Sequence, residues 1–134
     1  MMTSVITVAG FAFNACVVLH DTIRGLRSQN KAARALKAEL GDLITVLQSL
    51  VETISANSAI DFNSLRVPLQ RCGSSCQEYG KIIERCTKHS DGTSRSSIRD
   101  WVTQRYLQGD INDFRDMIAT HKSTINIALA HANL

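Results

Sequence analysis

Four cysteines and four histidines are the side chains of this 134-residue chain best suited to nucleophilic or metal chemistry. Cys72, Cys76, Cys86 and His89 form a C-x3-C-x9-C-x2-H string, which resembles the spacing of zinc ligands. Helical geometry argues against it. Cys76 and Cys86 are ten residues apart, which along a helix is ~15 Å, too far for one ion. Cys72, Cys76 and Cys86 also fall on one apolar helical seam, where a free cysteine behaves as a small hydrophobic side chain. The expectation is therefore that these three thiols and Cys16 are reduced and metal-free. An even cysteine count would suit disulfides in a small secreted protein. A secretory leader, however, begins with positive charge, and here no charged residue precedes Asp21. Reduced thiols and a cytoplasmic location are the consistent pair.

Covalent catalysis needs a nucleophile, a neighbouring base and a group that orients the base. His20, His89, His121 and His131 are scattered, and none adjoins a cysteine or serine in a tight-turn context. Asp110, Asp113 and Asp116 stand near an expected helix start, where carboxylates complement the helix dipole. No glycine-rich phosphate-binding string occurs. The residues predict no catalytic centre, no cofactor and no metal.

The N-terminal stretch has a different character. Met1 to Leu19 contains no charged residue, a length within the range that crosses a bilayer as a helix. Arg24, Arg27, Lys31, Arg34 and Lys37 follow at steps of three or four. Residues 1–37 carry five basic groups against one acid, whereas residues 38–134 carry ten against eleven. An apolar helix beside a basic cluster suits an anionic lipid surface. The same helix also suits the centre of a bundle, with the basic residues as a solvated face. The overall charge of +3 is too small to point to nucleic acid.

The elements that must position these residues read as helices. Val5, Val8, Ala12, Ala15, Leu19, Ile23 and Leu26 recur at helical spacing, predicting a first helix from about Thr3 to Arg27. Ser28 or Asn30 would cap a second. Its seam of Leu36, Leu40, Leu43, Leu47, Leu50 and Ile54 steps by four and three, the heptad pattern of helices packed side by side. Asn57 and Ser58 would close it. Ser64 is placed to cap a third helix, with Pro68 in its first turn. The third seam is Leu65, Leu69, Cys72, Cys76, Tyr79, Ile83 and Cys86. Residues 90–97 (SDGTSRSS) read as a loop, followed by a short helix from about Ile98 to Gln108 carrying Trp101. Gly109 would end that helix and Asp110 would cap the last one, which bears Ile111, Phe114, Ile118, Ile125 and Leu129 and ends near Ala132. The whole predicts one all-α domain over residues 1–134, a bundle of four to five helices.

Three stretches carry a family likeness. They are SVITVAGFAFNACVVLHDTIRGL at the start, LQRCGSSCQEYGKIIERC in mid-chain, and W-x(8)-D-I-x(2)-F-R-x-M-I from Trp101 to Ile118. In these the chain resembles the fungal helical domains that stand ahead of STAND-type nucleotide-binding receptors and ankyrin-repeat proteins. That group is similar to the HeLo-like cell-death domains and includes the azaphilone-pigment-cluster N-terminal domain. The resemblance implies a non-enzymatic signalling domain, joined to a downstream receptor or repeat module that this chain does not itself contain. Such a domain self-associates and then contacts a membrane or recruits a partner, moving from the cytoplasm to the plasma membrane on activation. On this reading Val5, Val8, Phe11, Phe13, Val17 and Val18 would meet lipid, and Arg24, Arg27, Lys31, Arg34 and Lys37 would meet its anionic surface. The other reading is an adaptor that binds proteins and never touches lipid.

Overall fold

Leucine and isoleucine at heptad spacing leave each helix with one apolar stripe, and the stripes have only one another to cover them. A computed structural model shows how they do so, describing residues 4–25, 31–56, 60–88 and 108–132. Among the described residues there are four α-helices: α1 (Val5–Arg24), α2 (Lys31–Ala56), α3 (Arg66–Lys88) and α4 (Gln108–Ala132). A 3-10 turn, Asn63–Leu65, leads into α3. There is no strand among the described residues. The expected all-α bundle is the observed fold. The 90–97 loop, the short helix with Trp101, and the caps at Ser28, Asn30, Asn57 and Ser58 lie outside the described residues.

α1 packs most extensively on α3 and next on α2, α4 lies chiefly on α2, and α3 and α4 meet at fewer points. The helices thus form a ring in the order α1, α2, α4, α3. Leu40, Leu43, Leu47 and Leu50 of α2 are completely buried in its centre. They are joined there by Leu19 and Ile23 of α1, Leu69 of α3, and Ile118 and Ile125 of α4. Tyr79 of α3 stacks on Phe114 of α4, with ring centroids 4.3 Å apart and planes 8° from parallel. Arg115 of α4 donates from Nε and Nη2 to Glu39 Oε1 of α2, at 3.0 and 2.7 Å.

Three helix boundaries differ from expectation. α1 starts after Ser4, whose Oγ accepts from the Thr7 N–H at 3.4 Å, and ends at Arg24, before Arg27. The Gly25 N–H bonds back to the Asp21 carbonyl at 3.0 Å and closes that end. Ser64 does not cap α3. It sits inside the 3-10 turn, and the α-helix begins at Arg66. The turn is fixed earlier, by the Asn63 N–H donating to Asp61 Oδ1 at 2.9 Å and the Leu65 N–H to the Phe62 carbonyl at 2.9 Å. Pro68 still falls in the first helical turn, where its missing N–H has no intrahelical acceptor to lose. Asp110 does not cap α4, because Gly109 and Asp110 both lie inside its first turn. A helix tolerates glycine there better than in its interior, where it costs about 1 kcal/mol relative to alanine.

Candidate functional site

α1 approaches α3 closely because the facing side chains are small. Ala9, Ala12, Ala15 and Cys16 of α1 are buried, as are Cys72 and Cys76 of α3. Gly73 completes the fit: a methyl group there would overlap the Phe11 ring, which lies over the glycine. Cys72 and Cys76, four residues apart, share one face of α3, and Cys16 points at both from α1. The Cys16 and Cys76 sulfurs are 3.7 Å apart, and all three sulfurs lie within 4.8 Å of one another. All three are free thiols. Their exposures of 0, 0 and 1% for Cys16, Cys72 and Cys76 place the trio fully inside the protein.

The three thiols do not hold their protons equally. Cys72 is held below the ordinary thiol range, first by hydrogen bonds from the Cys16 and Cys76 thiols, against the opposing effect of burial, with a smaller pull from the His121 imidazole. Cys16 is pushed up, by its bonds to Cys72 and Cys76 and by burial. Cys76 is drawn down by its bond to Cys16, but the bond to Cys72 and burial together push it up.

This trio is not the zinc-like string visible in the sequence. Cys72 and Cys76 belong to both, but the third thiol is Cys16, from sixty residues upstream of Cys76. Neither the Cys86 side chain nor His89 is among the described residues. The signal for Cys16 lies in its spacing, four residues after Ala12 and three before Leu19 on the α1 stripe. A cleft of about 280 Å³ between α1 and α3 reaches Cys76 from the surface, lined also by Phe11, Val18, Gln77, Lys81 and Glu84. His121 is half-buried and faces a second hollow between α3 and α4, beside Arg71, Ser74 and Glu78. His20 is half-buried against Asp21, and His131 is exposed.

The remaining candidate surface is α1 itself. It is long and apolar enough to cross a bilayer, and only 39% of its most apolar stretch is buried. Val8 lies in the core. Val5, Phe11, Phe13 and Val17 are half-buried, and Val18 is 55% exposed. Of the basic group, Arg24, Lys31 and Arg34 are exposed and Lys37 is half-buried, while Arg27 lies outside the described residues. Arg24 pairs with Asp21 at 3.1 Å, which offsets one charge of the cluster.

Fold and site together define an all-helical bundle domain with a buried thiol trio and an amphipathic, partly uncovered N-terminal helix. The chain belongs to the family described as pigment biosynthesis cluster protein PigL N-terminal, which it matches over residues 1–134. No curated protein and no solved structure matches it.

Proposed function

We propose that the chain is a non-enzymatic signalling domain of the HeLo-like type, working in fungal cell-death or incompatibility signalling by self-association and membrane contact through α1. The observation that carries this reading is the double character of α1. Its inner stripe, from Val8 to Ile23, is built into the core, yet Val18 is exposed beside the α1–α3 cleft and Phe13 and Val17 are only half-buried. Membrane-active helices use apolar surface of this kind. The exposed Arg24, Lys31 and Arg34 follow directly, where they would meet anionic headgroups.

Leaving the bundle would strip α1 of its burial. For Val8, Leu19, Ile23 and the small residues between them, the loss is on the order of 10 kcal/mol. That rivals the whole stability of a domain of this size, so the packed state dominates until another interaction compensates. Self-association driven by a downstream receptor or repeat module supplies such a bias, and insertion into lipid supplies the rest. The domain accordingly rests in the cytoplasm and reaches the plasma membrane on activation. The same burial favours the adaptor reading, in which α1 never leaves and the bundle surface binds protein. The two separate by co-sedimentation with anionic and neutral liposomes. The membrane reading requires binding to anionic vesicles that falls when Arg24, Arg27 and Lys31 are neutralised. The adaptor reading requires none, even for forced oligomers.

A further inference from the structure

Three sulfur atoms converging from two helices are more than the core needs. A single free cysteine in a core acts as a small apolar side chain, but three sulfurs brought to one point are also a set of metal ligands. The distances, moreover, have a chemical meaning. A metal–sulfur bond of about 2.3 Å puts the sulfurs of a three-coordinate planar complex about 4.0 Å apart, by geometry alone. Cys16 and Cys76 stand at 3.7 Å, and the whole trio lies within 4.8 Å. A disulfide would need about 2.05 Å; these thiols are unbonded and in contact, and the spacing of co-ligands is within a small movement of where they stand.

We infer that Cys16, Cys72 and Cys76 form a three-coordinate site for a soft monovalent cation, copper(I), reached through the α1–α3 cleft at Cys76. Thiolate sulfur selects soft ions, and zinc among them prefers a fourth ligand to complete a tetrahedron. Among the described residues no histidine or carboxylate joins the three sulfurs. A three-sulfur set with no fourth donor suits copper(I), which accepts that number. All three sulfurs are buried, and Cys76 is the one that borders the cleft. Each thiol that becomes a ligand releases one proton to solvent, and three thiolates around one copper(I) carry a net charge of −2. Lys81 and Glu84 both line the cleft through which the ion would enter, so its wall carries one charge of each sign. No electron changes hands in the binding step, so it needs no oxidant or reductant. The site needs α1 packed on α3, so it belongs to the resting bundle, and it stands whether or not α1 later meets a membrane.

The test uses the reduced full chain under nitrogen, titrated with copper(I) against bicinchoninate as competing chelator. Stoichiometry is read by native mass spectrometry and the ligand set by X-ray absorption. The site predicts one copper per chain with three sulfur neighbours, undisturbed by an equimolar addition of zinc. Cys16→Ala and Cys76→Ala should each weaken binding by about 100-fold or more, at least the upper end of what even an outer-shell change costs. Cys86→Ala should bind as the unaltered chain does. Circular dichroism checks that each variant folds, and if one does not, the sulfur count of the unaltered protein decides. Copper held by two or four sulfurs, displacement by zinc, no binding against the chelator, or full affinity in folded Cys16→Ala would each overturn the assignment.

Discussion

At the scale of single residues, the α1–α3 contact depends on size more than on polarity. Gly73 and Phe11 illustrate this, since the ring occupies the space a β-carbon would need. Gly73→Ala should destabilise the protein by about 1–3 kcal/mol through overpacking. Combined with Phe11→Ala, it should cost clearly less than the sum of the two single changes, because the clash partner is gone. Urea unfolding of the four-member cycle measures this, and additive losses would mean that Phe11 does not rest on Gly73. The thiols make a second case. Cys16→Ser replaces a sulfur at 0% exposure with a hydroxyl, and should cost about 1–3 kcal/mol more than Cys16→Ala if that hydroxyl lacks a good partner. Denaturation midpoints of the two variants, compared at equal slope, read the difference.

At the scale of elements, the α2–α4 seam joins an apolar stripe to a polar edge. Leu43→Ala or Leu47→Ala should cost about 2–5 kcal/mol, as expected for a fully buried leucine. The Arg115–Glu39 pair, with both side chains about one-third exposed, should contribute only about 0.5–1 kcal/mol in a double-mutant cycle. The more exposed Arg24–Asp21 pair of α1 should contribute less still. A coupling at Arg115–Glu39 no larger than that at Arg24–Asp21 would remove this two-nitrogen contact on Glu39 Oε1 from any role in docking α4. The seams of α1, α2 and α3 are legible in the sequence because periodicity is local: one stripe of leucines specifies one face. Ser64 misleads for a local reason too, since Asp61 and Phe62 fix a 3-10 turn before the cap position is reached. Gly109 misleads because glycine weakens a helix without forbidding it. The thiol trio is a different matter. Its two halves lie far apart in the chain, and only the α1–α3 packing brings Cys16 to Cys72 and Cys76. Spacing along a single helix instead draws attention to Cys86 and His89.

At the scale of the whole molecule, the domain sets a packed helix against a latent one in the same segment. The ring of four helices hides the inner stripe of α1 from Val8 to Ile23, while its outer side keeps Val18 in solvent. A charge at Ala12, which is fully buried, would damage the bundle itself, so Ala12→Asp cannot separate insertion from unfolding. Substitutions at exposed Arg24 and Lys31, with Arg27, should leave stability within about 0.5 kcal/mol, and each lost charge should weaken attraction to anionic lipid by about 1 kcal/mol. The most direct measurement of the central proposal is therefore co-sedimentation of the protein, alone and fused to an oligomerising module, with anionic and with neutral liposomes at moderate salt. The proposal predicts that the fused form sediments with anionic vesicles, and that neutralising Arg24, Arg27 and Lys31 together reduces that binding sharply while the circular dichroism spectrum is unchanged. An oligomer that stays in the supernatant with both kinds of vesicle would contradict membrane contact and leave the adaptor role in its place.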